Sequence, residues 1–594
     1  MTTTSPTPPD SAHAWGASAT AMEFTSRRAP ALGTRGMVAS SQTLATEAGM
    51  RILRRGGNAA DAAVAVAAAL NVCEPTSTGI GGDAFALVYD AKTKKVSAVQ
   101  GGGASPAALT LALCRDRGHL GTEIVPSTDA LAVMVPGAPA VWEDVIQRHG
   151  SGAITLADAL EPAIELAETG PPIGPVTAEL WRRQEDLLRA QGATCMLTKD
   201  GVAPRAGERM PNPELANTFR ALGSKGAMDG FYAGPIADAI VDAVASRGGV
   251  LTVEDLKRHR TSFPDAIATT YRGDVTVWEI PPPNHGLAAL LALNLLEATL
   301  PDASKGEEGA EGGVARQHAM IDAMRVAFAD TLEHCGDPTH ADAARAKLSC
   351  DELVSKAYAT ARAKHAGLSP EKAAEGPEPG HPGVIGLRPS PDTVYFCVAD
   401  GEGNAVSFIN SNYDGFGTGI APAGCGFTLQ NRGHNFILQE GHVNCVGPNK
   451  RPYHTIIPGM ATRTSDGSLY AAFGVMGGFM QPQGHLQVVS HMVDLGMDPQ
   501  AALDHPRWCL GGVGSERGAA SVLGATVAVE GETEGGSSRW RETTEALRGK
   551  GHPIEVVTGL DRTMFGRGQI IARDERGTLW GGSDPRGDGC ALGF

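Results

Sequence analysis

The run Ser390-Pro391-Asp392-Thr393-Val394-Tyr395-Phe396 sets a hydroxyl residue at a border between two kinds of sequence. Residues 367–391 ahead of it hold six prolines with Gly and charge, the composition of an exposed, non-helical linker. Residues 394–399 behind it read as a short buried strand. A cut between Asp392 and Thr393 would put a hydroxyl nucleophile and an α-amine on one residue. An unperturbed α-amine has a pKa of roughly 7.7–8.0, so part of it is neutral at pH 7 and can act as base. Thr393 can make the cut itself: its hydroxyl attacks the Asp392 carbonyl, the acyl group moves to oxygen, and water releases it. A threonine opening a strand is equally an ordinary β-branched strand residue, so these residues alone leave both readings open.

The elements that must position Thr393 follow from the hydrophobic pattern. A short strand is predicted at 37–39 and a helix at 46–55, halted by Gly56-Gly57. Residues 58–71 (NAADAAVAVAAALN) form an Ala-rich helix with almost no polar face, which belongs inside a protein. Gly79-Ile80-Gly81-Gly82-Asp83 then turns the chain into a buried strand at 84–89. Further helices are predicted at 139–147, 155–167, 235–246, 287–299 and 315–332, with a strand at 274–279 and an acidic, Gly-rich insert at 303–313. Beyond Thr393, strands at 394–400 and 405–409 flank Gly401-Glu402-Gly403-Asn404, a hairpin signature. A strand at 469–473 and a helix at 484–495 bracket Gly477-Gly478, which on its own reads as a hairpin turn. A helix-rich part, a linker, then strand-turn-strand implies a mixed α/β layered fold.

Composition excludes several classes. The 594 residues are 42% hydrophobic and 20% charged, which suits a globular enzyme. A net charge of −16 argues against nucleic acid or an anionic membrane as partner, since both attract basic surfaces. The 10 cysteines show no CxxC and no metal-like spacing with His, so they read as reduced, mostly buried thiols. No stretch approaches the roughly 20 apolar residues of a membrane span, and the first 20 residues carry no apolar signal core. The expectation is a cytoplasmic protein with a disordered tail at 1–30 and no metal or organic cofactor.

Ordered motifs over some nine-tenths of the chain resemble the γ-glutamyltranspeptidase superfamily. They include Gly36-Met37-Val38-Ala39-Ser40-Ser41-Gln42, Gly56-Gly57-Asn58-Ala59-Ala60-Asp61-Ala62-Ala63, Gly79-Ile80-Gly81-Gly82-Asp83 and Val135-Pro136-Gly137-Ala138-Pro139. Glu279-Ile280-Pro281-Pro282-Pro283, Phe328-Ala329-Asp330, Gly336-Asp337-Pro338 and Gly403-Asn404-Ala405-Val406-Ser407 follow in order. The resemblance implies a four-layer αββα sandwich of N-terminal-nucleophile hydrolases, α+β in class, with two facing, mostly antiparallel sheets flanked by helices. It implies one precursor cut between Asp392 and Thr393 into a 31–392 portion and a 393–594 portion, which stay together as a heterodimer forming one domain. Thr393 matches the nucleophile, Ser411 stands where the family has a second Thr bonded to it, and Gly477 and Gly478 match the oxyanion pair.

The substrate positions depart from the glutathione-cleaving pattern. Gly102 stands where an Arg clamps the substrate α-carboxylate, and Asn435 where an Asp takes the α-ammonium. The Ser-Ser pair that touches the carboxylate becomes His454-Thr455. The runs Leu429-Gln430-Asn431-Arg432-Gly433 and Lys450-Arg451-Pro452-Tyr453-His454-Thr455-Ile456-Ile457-Pro458-Gly459 resemble the branch that contains oxamate amidohydrolase. That branch implies a small, carboxylate-bearing amide as substrate, with Arg432, Tyr413, Asn435, His454 and Thr455 lining its site and Arg451 adding charge. Arg432 and His454 are equally consistent with a structural ion pair and a satisfied core residue. Two other readings stand: a true glutathione hydrolase with re-sited charge clamps, and an unprocessed, non-catalytic homologue.

Overall fold

The side chains of the strand Val394–Asp400 alternate between two surroundings. Val394, Phe396 and Val398 pack into a core with the helices Thr43–Arg54, Ala59–Cys73 and Ala138–His149. Tyr395, Cys397 and Ala399 enter a separate core shared with a second sheet, together with Phe85, Ile409, Met460, Ala472 and Ile571. A strand buried on both faces, one against helices and one against another sheet, defines the inner layer of a sandwich. The computed structural model describes residues 28–119, 124–301, 310–374, 393–511, 526–531 and 538–594. Asp392, most of the linker and nearly all of the expected N-terminal tail lie outside them.

The inner sheet has six strands, in spatial order Cys590–Gly593, Gly36–Ser40, Val394–Asp400, Ala405–Ser411, Asp83–Asp90 and Lys95–Gly101. The facing sheet has seven: Ala31–Gly33, Leu579–Ser583, Gly568–Arg573, Leu469–Val475, Gly459–Arg463, Val275–Glu279 and Ile267–Tyr271. Every pairing within these two sheets is antiparallel. The outer face of the second sheet, through Val275, Val277, Phe473, Val475 and Ile570, packs on the helices Gly286–Thr299, Ala310–His334 and Met480–Asp494. The result is the expected αββα order of layers. Both sheets draw strands from either side of Thr393.

Local chemistry explains how the central strand is held. Asn58 caps the buried Ala-rich helix: its side chain accepts from Ala60 N–H and Asp61 N–H, and Asp61 reaches back to Asn58 N–H. The Ala59 N–H is taken by Asp400 at 3.0 Å, so the far end of the Thr393 strand fills a vacancy at that helix N-terminus. Asp400 also accepts from Glu402 N–H and Asn404 N–H, which fixes the hairpin turn. A two-step polar link crosses the sandwich through Ser407. Tyr395 Oη and Ser407 Oγ share a bond of 2.8 Å, and Ser407 Oγ donates to the Phe473 carbonyl.

Helix boundaries shift most from expectation in two places. The predicted 315–332 helix runs Ala310–His334, into the Gly-rich insert. The predicted 484–495 helix begins at Met480, because Pro482 falls in its first turn, where a missing N–H loses no intrahelical partner. Gly477-Gly478 therefore lies at a strand-to-helix turn, not in a hairpin. The ten cysteines are free, and none of the described helices is long and apolar enough to cross a membrane.

One cluster joins elements from the two sides of the linker. The His318 Nε2–H donates to the Ser369 carbonyl, which can only accept, so His318 Nδ1 is the acceptor for the His552 Nε2–H at 2.7 Å. Asp322 lies beside this pair and accepts from Ala374 N–H. The close approach of the sheets is testable at Gly474, where a Cβ would stand 2.5 Å from the Tyr395 ring. Gly474→Val should cost about 1–3 kcal/mol and lower the unfolding midpoint. Gly549→Ala, where a Cβ meets nothing within 4 Å, should not lower it.

Candidate active site

Strand register brings four positions into one row across the inner sheet. Val394 pairs with Asn410, so the next rung joins Thr393 to Ser411, and Asp83 pairs with Ser411 on the other side. Ala84 pairs with Gly101, which extends the same rung from Asp83 to Gly102. Alternation turns Thr393, Ser411 and Asp83 toward the interior between the sheets, as it does Tyr395, Ile409 and Phe85. Thr393 is buried, and its hydroxyl shares a 2.9 Å hydrogen bond with Ser411 Oγ. Ser411 Oγ also accepts from the Tyr413 N–H at 2.9 Å.

The facing sheet brings the glycine pair to the same end. Tyr395, two residues along from Thr393, packs on Gly474, three residues before Gly477. Gly477 and Gly478 have φ of +130° and +56°, backbone that a side chain rarely permits. The Gly477 carbonyl accepts from Met480 N–H at 2.9 Å, in the first turn of the following helix. Peptide planarity then points the Gly478 N–H, in the same unit, away from that helix.

Arg432 and Asn435 sit on one short 3₁₀ turn and are both fully enclosed. Arg432 Nη1 donates to Thr455 Oγ1 at 2.7 Å, and its guanidinium lies 4.6 Å over the Tyr413 ring. Tyr413 has φ of +80°, a strained conformation for an aromatic residue. Arg432 Nε stands 3.7 Å from Asp83 Oδ2, while Nε and Nη2 make no hydrogen bond. Neither amide atom of Asn435 has a partner. Unsatisfied buried polar atoms of this kind are costly and call for an explanation.

His454 is differently placed from the charge donor the sequence suggested. Its Nε2–H donates to Asp83 Oδ2 at 3.0 Å and its Nδ1 accepts weakly from Ile456 N–H at 3.4 Å. Both nitrogens are engaged in the neutral tautomer, and burial holds the ring well below its ordinary pKa, aided by Arg432. His454 thus takes the role of a satisfied interior residue bound to Asp83. Its ring also explains Gly102. A Cβ there would meet Phe85 at 3.0 Å and His454 Cδ2 at 3.2 Å, so His454 fills the space beside the position where the family places Arg. Arg451 Nε donates to the Gly102 carbonyl instead.

Asp83 was quoted in the sequence only as the end of a glycine motif, and it is the residue that joins the site together. Its Oδ1 accepts from Gly103 N–H at 3.0 Å and Oδ2 from His454. Burial pushes its carboxyl up to about 7, against the opposing pull of Arg432. The available signal was a buried acid directly ahead of the apolar run AFALV, in a strand whose other acid, Asp90, is exposed.

Comparison with known proteins agrees with this geometry. The γ-glutamyltranspeptidase family profile matches residues 45–594. A glutathione hydrolase-like YwrD proenzyme of Bacillus subtilis is 36% identical, over 95% of this chain and 99% of its own. An oxamate amidohydrolase proenzyme of Klebsiella pneumoniae is 31% identical, with coverage of 95% and 99%. Among solved structures, a cephalosporin acylase from Bacillus halodurans superposes with a TM-score of 0.83 at 39% identity, over 97% of this chain and 98% of its own. The chain belongs to the γ-glutamyltranspeptidase family and is a hydrolase of that family.

Proposed function

We propose that the protein is a self-processing N-terminal-nucleophile amidohydrolase that cleaves an amide of a small carboxylate-bearing acid through an acyl-enzyme on Thr393. The observation that carries this reading is the buried Thr393 hydroxyl, hydrogen-bonded to Ser411 at the head of the central strand. After a cut between Asp392 and Thr393, the new α-amine takes the hydroxyl proton as Thr393 attacks the substrate carbonyl. The N–H groups of Gly477 and Gly478 receive the oxyanion, a contribution of about 3–4 kcal/mol per donor in comparable sites. The amine returns the proton to the leaving nitrogen, and water then hydrolyses the ester. Arg432 and Asn435 hold the substrate carboxylate, Tyr413 and Thr455 hold Arg432, and His454 holds Asp83. The proenzyme, amidohydrolase and acylase names of the relatives support the same chemistry.

The portions 31–392 and 393–594 stay together as one folded unit because the sheets interleave their strands. A second reading, hydrolysis of γ-glutamyl compounds, is favoured by the Arg432–Asp83 pair, which places both charges of a zwitterion clamp in one site.

On a denaturing gel, fresh wild-type protein should separate into fragments 1–392 and 393–594, and Thr393→Ala should remain a single chain. A persistent cut in that variant would assign the cleavage to another protease. Ser411→Ala removes one hydrogen bond from the nucleophile and should slow both self-cleavage and turnover by about 10- to 100-fold, without unfolding the protein.

A further inference from the structure

We infer that His318, Asp322 and His552 form a binding site for a divalent transition-metal ion of the zinc class, joining the two sides of the linker. His318 and Asp322 stand four residues apart on the helix Ala310–His334, so both face one side of it. His552 reaches them from just ahead of the strand Ile554–Val557. One nitrogen or oxygen from each residue can be chosen so that all three atoms lie within 4.8 Å of one another. Each of the three residues is at most 3% exposed. Zinc bonds of about 2.0–2.1 Å to N and O set tetrahedral ligand atoms about 3.4 Å apart, so side-chain shifts of about 1–1.5 Å close the set. The two histidines are 234 residues apart, and sequence spacing therefore carried no sign of them.

Two features separate this set from an ordinary buried hydrogen-bond cluster. Asp322 Oδ1 is buried with no hydrogen-bond partner, while Oδ2 accepts from Ala374 N–H. The His318 Nε2–H donates to the Ser369 carbonyl at 2.8 Å, the kind of bond that fixes the ring of a metal-ligating histidine and leaves its other nitrogen as ligand. That other nitrogen, Nδ1, now accepts from the His552 Nε2–H at 2.7 Å. A metal ion takes the place of this bridging hydrogen. The proton passes to His552 Nδ1, which has no partner, so both rings stay neutral. The ligands are then His318 Nδ1, His552 Nε2 and Asp322 Oδ1. A cavity of about 30 Å³ beside His318, Asp322, Leu368 and Ser369 has room for a water in the fourth position. Arg325 acts on both Asp322 and His552, and Lys550 acts on His552. One carboxylate against two cations does not hold Mg²⁺ or Ca²⁺, which bind through several oxygens, whereas two imidazole nitrogens suit Zn²⁺ or Co²⁺. His318 and Asp322 also hold the backbone at Ser369 and Ala374, so the ion pins the start of the linker to residues from both sides of Thr393.

Cobalt reads such a site directly. The full chain, cleared with a chelator and titrated with Co²⁺, should take up one equivalent with the visible absorption of a four-coordinate nitrogen–oxygen site. Zn²⁺ should displace the cobalt and raise the unfolding midpoint by about 2–4 °C at saturation. His552→Gln, whose amide can still donate to His318, and Asp322→Asn should each weaken Co²⁺ binding at least tenfold. A wild-type titration without that absorption overturns the inference, as does unchanged affinity in either variant. Displacement of cobalt by Mg²⁺ as readily as by Zn²⁺ overturns the assigned class of ion. The wild-type titration decides the question even if a variant fails to fold.

Discussion

The strand Val394–Asp400 is paired on both edges, with Gly36–Ser40 on one side and Ala405–Ser411 on the other. The rest of the site depends on that constraint. A residue that is to act through its own α-amine must be a chain end, yet chain ends are ordinarily the least ordered part of a fold. Here the strand is fixed independently of whatever precedes Thr393. Antiparallel ladders hold it laterally, Asp400 ties it to a helix N-terminus, and Tyr395 locks it against the second sheet. A break ahead of Thr393 removes none of these contacts. The same interleaving makes the two portions inseparable without dismantling both sheets.

The second organising feature is a buried set of charges that is nearly self-contained. Arg432 and Asp83 are both enclosed, and removing one partner of such a pair typically costs about 3–5 kcal/mol because the other charge is stranded. Burial lowers the Arg432 guanidinium to about 10 and raises Asp83 to about 7, two signs of the same desolvation. Gly102 and His454 belong to this set: an Arg at 102 would need the space beside His454, and His454 in turn keeps Asp83 oriented. These positions therefore cannot drift one at a time. Gly102, His454, Asp83, Arg432 and Thr455 touch one another in turn, so a change at one is felt by the next.

Much of the architecture was legible in the residues. The all-apolar helix after Asn58, the hairpin around Gly401–Asn404 and the paired alternation of 394–400 each stated their own surroundings. The family motifs singled out Thr393, which local pattern alone could not separate from an ordinary strand threonine. What escaped was tertiary. Nothing in the spacing of Asp83 and His454, far apart in sequence, announced that they would bond, and the ring state of His454 followed only from both its partners. The glycine pair was misread locally as a hairpin because a proline shortly after it masked the start of a helix.

The row Thr393, Ser411, Asp83 and Gly102 also acts as a ruler. Neighbouring strands stand about 4.8 Å apart, so Asp83 lies two strand spacings, about 10 Å between backbones, from Thr393. Side chains bridge the remainder from either end. Reach across the sheet is quantised by strand count, whereas reach within one rung is adjusted finely by side-chain length. The spacing along this row can therefore change by small steps through side-chain length, or by whole strands, but not by sliding the register. A one-residue slip would turn Asp83 to the helix side and take Arg432's anchor with it.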